Sequence, residues 1–241
     1  MSNTEVTRDY YPNGQLEREL IYIDGKRQGL QRHWHENGQL QAEYPYQNDE
    51  PHGRSRSWYD NGQLMWEGNY NNGLRQGLQQ SWYDNGQLER EYNYQDGELA
   101  GLNRLWHRNG QLWEEKNYQD GEMVGLQRGW NETGQLEWES NWVNGRRHGV
   151  IRRWYESGQL EHESNWENNK AHGLEQEWYE NGLLEYQRHY RNGDRHGLYR
   201  EWHSDGWLMC DDLWHDGYCI RERVFNKNGQ LLCDLQHDDH F

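Results

Sequence analysis

Trp82-Tyr83-Asp84-Asn85-Gly86-Gln87-Leu88-Glu89-Arg90-Glu91-Tyr92-Asn93-Tyr94 decides the fold, because the chain writes it again and again. Asp84-Asn85-Gly86 is a turn signal, since Asn and Gly take up positive φ at little cost. The turn glycine recurs as Gly14, Gly38, Gly62, Gly86, Gly110, Gly134, Gly158, Gly182 and Gly206, always 24 residues apart, and then as Gly229 after 23. Other columns keep the same step, which is the mark of a repeat architecture. Leu16, Leu40, Leu64, Leu88 and their successors follow the glycines, and Tyr22, Tyr46, Tyr70 and Tyr94 lie six residues further on. A second glycine column includes Gly29, Gly53 and Gly77, and a tryptophan column includes Trp34, Trp58 and Trp82.

Each unit therefore reads as two short strands joined by turns. Turn glycines interrupt the chain every 8–12 residues, which leaves no room for a three-turn helix. The fold class is all-β: an elongated repeat protein, an antiparallel meander of about 20 short strands built from 24-residue hairpin repeats. The first strand, Val6 to Tyr11, and Cys219 to Phe225 are degenerate arms. Simple alternation places Leu88, Arg90, Tyr92 and Tyr94 on one side and Glu89, Glu91 and Asn93 on the other. On that reading stacked Leu, Trp and Tyr columns line a single face. The repeat domain is expected over 5–235, after a disordered 1–4 and before a C-terminal tail, 236–241. The one-residue deletion near Tyr218 and the cysteine-rich end suggest a cap over the last edge.

Composition agrees with a thin repeat. Hydrophobic residues are only 32%, too few for a thick aliphatic core, yet 15 Trp and 17 Tyr must be ordered somehow. No apolar stretch is long enough to span a membrane, and Met1 to Tyr11 carries no secretory pattern. Cys210, Cys219 and Cys233 lack metal-binding spacing and read as reduced thiols of a cytoplasmic protein.

Units such as residues 82–88, with Glu91, Tyr94 and then x-Asn/Asp-Gly-x-x-x-Gly-Leu, resemble MORN repeats. More closely, they resemble the bacterial variant found in the YwqK-like antitoxin family. The resemblance covers about residues 5–235. It implies an antitoxin or immunity-type protein that binds a cognate toxin or secreted effector and occludes it. The alternative it implies is a MORN-type scaffold or a module that binds phospholipid at a membrane surface.

Internal repetition separates candidate scaffold from candidate site. Columns kept in every repeat, such as Gly38, Gly62, Gly86, Leu64, Leu88, Trp58, Trp82, Tyr70 and Tyr94, are assigned to folding. Met65, Trp66, Trp113, Trp138 and Tyr186 are large apolar residues where other repeats carry polar ones, and they are the expected partner contacts. The column Glu19, Glu43, Glu67, Glu91, Glu115, Glu139, Glu163 has neighbours two strands, about 10 Å, apart, so it reads as a solvated face. His148, His172 and His196 share that spacing and cannot bridge one metal. His237, Asp238, Asp239 and His240 read as a polar tail. The column Arg32, Arg56, Arg104, Arg128, Arg152, Arg200 is expected to stack on the aromatic ladders.

No convergent catalytic set is present, so no enzyme activity, catalytic residue, metal or cofactor is expected. A net charge of −16 argues against nucleic acid and against anionic lipid. The same charge favours a basic protein partner, through faster association. The chain itself is expected to be a monomer or a weak dimer through its sheet edges.

Overall fold

The computed structural model describes residues 2–237. Asp238, Asp239 and His240 of the C-terminal cluster lie outside the described residues. The chain divides into two compact units, Met1–Glu122 and Met123–Phe241. Among the described residues all regular structure is β, in antiparallel pairs between arms adjacent in sequence. No helix is long and apolar enough to cross a membrane.

Among the described residues there are 24 strand segments. Eight of them are the halves of four arms, each interrupted at the residue before or near the second glycine, as in Lys26–Arg27 with Gly29–Trp34. The remaining arms are whole, so the segments correspond to the 20 expected arms. The first strand, Thr4–Tyr10, and the last, Leu231–Gln236, carry paired backbone one residue beyond each expected limit of the repeat domain.

Two turns alternate. At Asp96-Gly97 both residues have positive φ, 50° and 90°, which is the tight hairpin geometry that matches strand twist. At the Asp-Asn-Gly turn the Gly86 amide donates to the Tyr83 carbonyl, and the Gln87 amide donates to Asn85 Oδ1 at 3.1 Å. Successive turns are tied together. Tyr59 Oη donates to the Trp82 carbonyl and Tyr83 Oη to the Trp106 carbonyl, both at 2.8 Å. In the second unit Tyr155 and Tyr179 do the same to Trp178 and Trp202.

Two bulges per repeat interrupt the ladder. The first corrects the expected faces. Trp82 faces Leu88 while Ser81 faces Arg90, so Glu89 is an extra residue. One inserted residue reverses every later side chain. Residues directly opposite share a face. Trp82, Leu88, Gln80, Glu91, Leu78 and Asn93 therefore lie on one face, and Ser81, Arg90, Gln79, Tyr92 and Tyr94 on the other. The Tyr column does not stack with the Leu and Trp columns.

The second bulge lies at the second glycine. Glu67 faces Gln80 and Asn69 faces Gln76, which leaves two extra residues on the longer arm. Gly77 occupies this bulge with φ 69°. At the C-terminal end Leu213 faces Arg221 and Trp214 faces Cys219, so that bulge holds one extra residue instead of two. This is where the deleted residue goes: the bulge shortens and the ladder continues. Leu231, Leu232 and Leu235 are exposed along the last strand, and residues 238–241 of the expected cap lie outside the described residues.

A broken ladder leaves backbone groups that must find other partners. Gln31, 2% exposed, supplies them. Its Oε1 accepts from the Ile21 amide at 2.8 Å, and its Nε2 donates to the carbonyls of Ile21, Gln28 and Gly29. Asn103 accepts from the Asn93 amide in the same way, and Gln79 and Gln127 bond to nearby carbonyls. Among the described residues only one apolar side chain, Ala42, is buried, while eleven polar ones are. Four of the buried polar side chains, Gln31, Gln79, Asn103 and Gln127, are thus backbone repairs.

Tight steric fit accompanies them. A Cβ on Gly129 would stand 2.2 Å from Trp138 Nε1, and one on Gly68 would stand 1.6 Å from Gln79 Oε1. Replacing Gln31 by Met keeps the volume but strands the Ile21 amide, while the Ile21 carbonyl keeps its bond from the Gln28 amide, so the change is expected to cost about 1–3 kcal/mol. Urea denaturation measures this; an unchanged midpoint would contradict the repair role.

Candidate functional site

The face opposite the Leu and Trp columns is the one whose residues differ from repeat to repeat. In the first unit its cross-strand row runs Ala42, Ser57, Trp66, Ser81, Arg90, Leu105. In the second it runs Gly129, Trp138, Arg153, His162, Glu177, Tyr186, Glu201, Cys210. Trp66 lies between Ser57 and Ser81, and Trp138 lies beside Gly129. Small neighbours make room for Trp66 and Trp138, so these two rings are packed into the face as well as displayed on it.

The five expected contact residues fall in two places. Trp66, Trp138 and Tyr186 belong to this row and are half-buried. Met65 and Trp113 are extra residues of the first bulge, 37% and 46% exposed. Met65 and Trp66 come together in a groove of about 340 Å³ that Tyr59, Arg75, Tyr92 and Tyr94 also line. Trp113 leans on His107, with ring centroids 5.7 Å apart.

Charge is arranged differently on the two faces. The Glu column is not a free solvated row, which corrects the expectation. Glu43 is held between Arg32 at 3.1 Å and Arg56 at 2.9 Å. In the second unit Glu139 lies between Arg128 at 3.6 Å and Arg152 at 2.9 Å. The Arg column thus serves mainly this ion ladder; Arg56, over Trp58 at 5.3 Å, also stacks. Most ring stacking comes from a different set, in which Arg27, Arg75 and Arg195 cover Tyr46, Tyr94 and Trp214 beside the second bulge.

On the variable face of the second unit the polar residues form a network that sequence reading missed. Glu175 accepts from His162 Nε2 at 3.0 Å and from Arg188 at 2.9 and 3.0 Å. Burial alone would raise the Glu175 carboxyl; the His162 and Arg188 hydrogen bonds and the Arg188 charge outweigh it and hold it at about 2. Tyr186 donates to Glu177 at 2.5 Å and Tyr199 to Glu201 at 2.7 Å. Burial and these carboxylates raise both phenols. Burial, with Asp212 and Glu201 nearby, pushes the Cys210 thiol up to about 12. No linear motif announces this network, because apart from Tyr199 and Glu201 its pairs lie 9–13 residues apart on facing arms.

The histidine column has a structural task. Gln28 and Gln76 accept a hydrogen bond from the amide of the next turn, at Asn48 and Asp96. His52 and His196 take that place through Nδ1, each at 3.5 Å from the amide of Asn72 or Asp216. All three cysteines are free thiols.

A family model described as MORN repeat variant matches the chain seven times, at residues 6–24, 27–48, 51–72, 75–96, 99–120, 147–168 and 171–192. No curated protein matches. Among solved structures, a chain of the crystal structure of TcdB2-TccC3-Cdc42 is similar at 12% identity over 98% of this chain, with a TM-score of 0.16. This chain spans 17% of the length of that one, and so slight a likeness carries no argument.

Two measurements probe the network. Glu175 stabilises the fold fully above its unfolded pKa of 4.5, and that contribution is lost as pH falls through about 2. Arg188→Met removes the counter-charge, so the acid-unfolding midpoint followed by tryptophan fluorescence is expected to move to higher pH. An unmoved midpoint would show that the pair does not act on stability. Separately, iodoacetamide at pH 8 is expected to alkylate Cys210 at least about tenfold more slowly than a free thiol of ordinary pKa. Peptide mapping by mass spectrometry reads this, and rapid alkylation of Cys210 would contradict the burial of its thiol.

Proposed function

The chain belongs to the MORN repeat variant family, and from that premise we propose that it is a repeat scaffold that binds a basic protein partner on its variable face. The observation that carries this reading is the division of labour between columns. The Leu, Trp, Glu and Arg columns stabilise each repeat on one face. The other face carries, beside the constant Tyr column, the columns that change between repeats, and it offers rigid aromatic surface beside carboxylates. Met65 and Trp113 stand out from bulges, where no strand neighbour needs them, and Trp and Met suit interface cores.

The finer proposal is an antitoxin or immunity-type role. The partner would be a cognate toxin or secreted effector, and inhibition would be steric coverage of its active site. A chain of net charge −16 suits a basic target, because opposite charge speeds encounter. The inhibitor then needs no chemistry of its own.

A pull-down with tagged protein at low salt and at about 0.5 M salt, read by mass spectrometry, tests both levels. A single stoichiometric basic protein, weakened at high salt, is the expected result. Met65→Glu and Trp113→Glu are expected to weaken capture by at least about tenfold while leaving the melting temperature unchanged. Wild-type binding by both variants would place the interface elsewhere. A captured partner that stays active in the complex would refute occlusion.

A further inference from the structure

In the second unit the stacked turns bring together three ligating side chains that no single stretch of sequence joins. His196 lies in the strand Asp194–Trp202, His215 ends the strand Leu208–His215, and Asp216 begins the turn that follows. His196 Nδ1 is 3.3 Å from Asp216 Oδ1, and His215 Nδ1 is 3.7 Å from Asp216 Oδ2. One ligand atom from each residue lies within 4.8 Å of the other two. The two imidazole rings are 5.0 Å apart and inclined at 51°.

We propose that His196, His215 and Asp216 form a binding site for a divalent transition-metal ion of the zinc class. Two imidazoles and one carboxylate are a familiar donor set for such an ion. Bonds of about 2.0–2.1 Å in a tetrahedron put ligand atoms about 3.3 Å apart, and His196 Nδ1 already stands 3.3 Å from Asp216 Oδ1. The edges to His215 close with a movement of its imidazole, whose Nδ1 is 3.7 Å from Asp216 Oδ2. The fourth position faces solvent and takes a water molecule.

The backbone sets this spacing. The Gly217 amide donates to the Arg195 carbonyl at 2.9 Å, and the Asp216 amide approaches His196 Nδ1, so the turn is fixed against the strand before it. Asp216 holds φ 46°, a conformation set by the tight turn. The ion takes the one lone pair of His196 Nδ1 and so replaces its 3.5 Å contact with the Asp216 amide, and Arg191, which pairs with Asp216 Oδ1, must give way. Its side chain is nearly half exposed, so it can swing into solvent or keep a bond to the outer side of the carboxylate.

The coincidence is confined to one repeat. The corresponding turn residues are Asn71 and Asn72 after His52, Glu167 and Asn168 after His148, and Arg191 and Asn192 after His172. Only after His196 does the next turn supply a second imidazole and a carboxylate. His148, His172 and His196 remain two strands apart from one another, too far to share one ion. The new ligands come from the adjacent hairpin, one turn away.

The same repetition supplies gentle variants. His196→Gln copies Gln28 and Gln76, His215→Gln copies Gln95 and Gln119, and Asp216→Asn copies Asn72 and Asn192, so each leaves a side chain that other repeats already accommodate. Titration calorimetry of the full chain with Zn²⁺ is expected to show one ion per chain at micromolar affinity, with a rise in melting temperature. Co²⁺ in its place is expected to give the visible bands of tetrahedral coordination. Each of the three variants should weaken Zn²⁺ binding by at least about tenfold, and His148→Gln should not. No Zn²⁺ binding by wild type at about 100 µM, or binding that survives His215→Gln unchanged, would overturn the proposal.

Discussion

The repeats of this protein break their own backbone ladder at the second bulge, and in several of them a side chain mends the break. The second bulge puts two extra residues opposite a regular strand, and the unpaired amides and carbonyls it creates are turned away from water. An unpaired buried backbone group costs about as much as a lost hydrogen bond. Gln31 meets both the amide and the carbonyl of Ile21, and Asn103 meets the amide of Asn93. These residues are buried because they are polar and needed there. Where the second unit has Ile151 or Glu175 at the same step, Asn141 and Asn165 bond to the carbonyls of Val150 and Leu174. The group served differs between the two cases, an amide in the first and a carbonyl of the facing arm in the second.

The first bulge has the larger functional consequence. By inserting one residue after the Leu column it turns the rest of the arm over. Leu and Trp then share a face with the Glu–Arg ladder, and Tyr shares the opposite face with the columns that change. Ion pairs on the constant face are partly exposed, and single pairs of that kind are worth little. Their alternation, with Glu43 between two guanidiniums, spreads the charge along a row. The variable face carries the local chemistry: an aromatic groove in the first unit, and a phenol–carboxylate–guanidinium network in the second.

The architecture was legible because periodicity needs no propensity argument. Gly86 and its equivalents give the period, and Asp96-Gly97 gives the second turn, so the number of arms follows. The faces were not legible. A bulge adds a residue without changing the period, so every copy hides it equally, and alternation counted through Glu89 comes out reversed. The burial of Gln31 was equally hidden, since a glutamine in a polar chain gives no sign that it lies over a broken ladder. Of the candidate contacts, Trp66 and Met65 were recognised as exceptions to their columns, but their separation into a packed ring and a protruding bulge residue depends on the register. His196, His215 and Asp216 could have been found by comparing each histidine with the turn about 20 residues later.

Amide hydrogen exchange by NMR, read at Ile21 and Asn93, tests the account most directly. Both amides lie beside a second bulge and have a side-chain oxygen as acceptor. If side chains complete the backbone, these two amides exchange as slowly as ladder-bonded neighbours such as Glu19 and Glu91. Exchange at the rate of an open turn amide would mean that the breaks are left unmended, and that the stability of the repeat lies elsewhere.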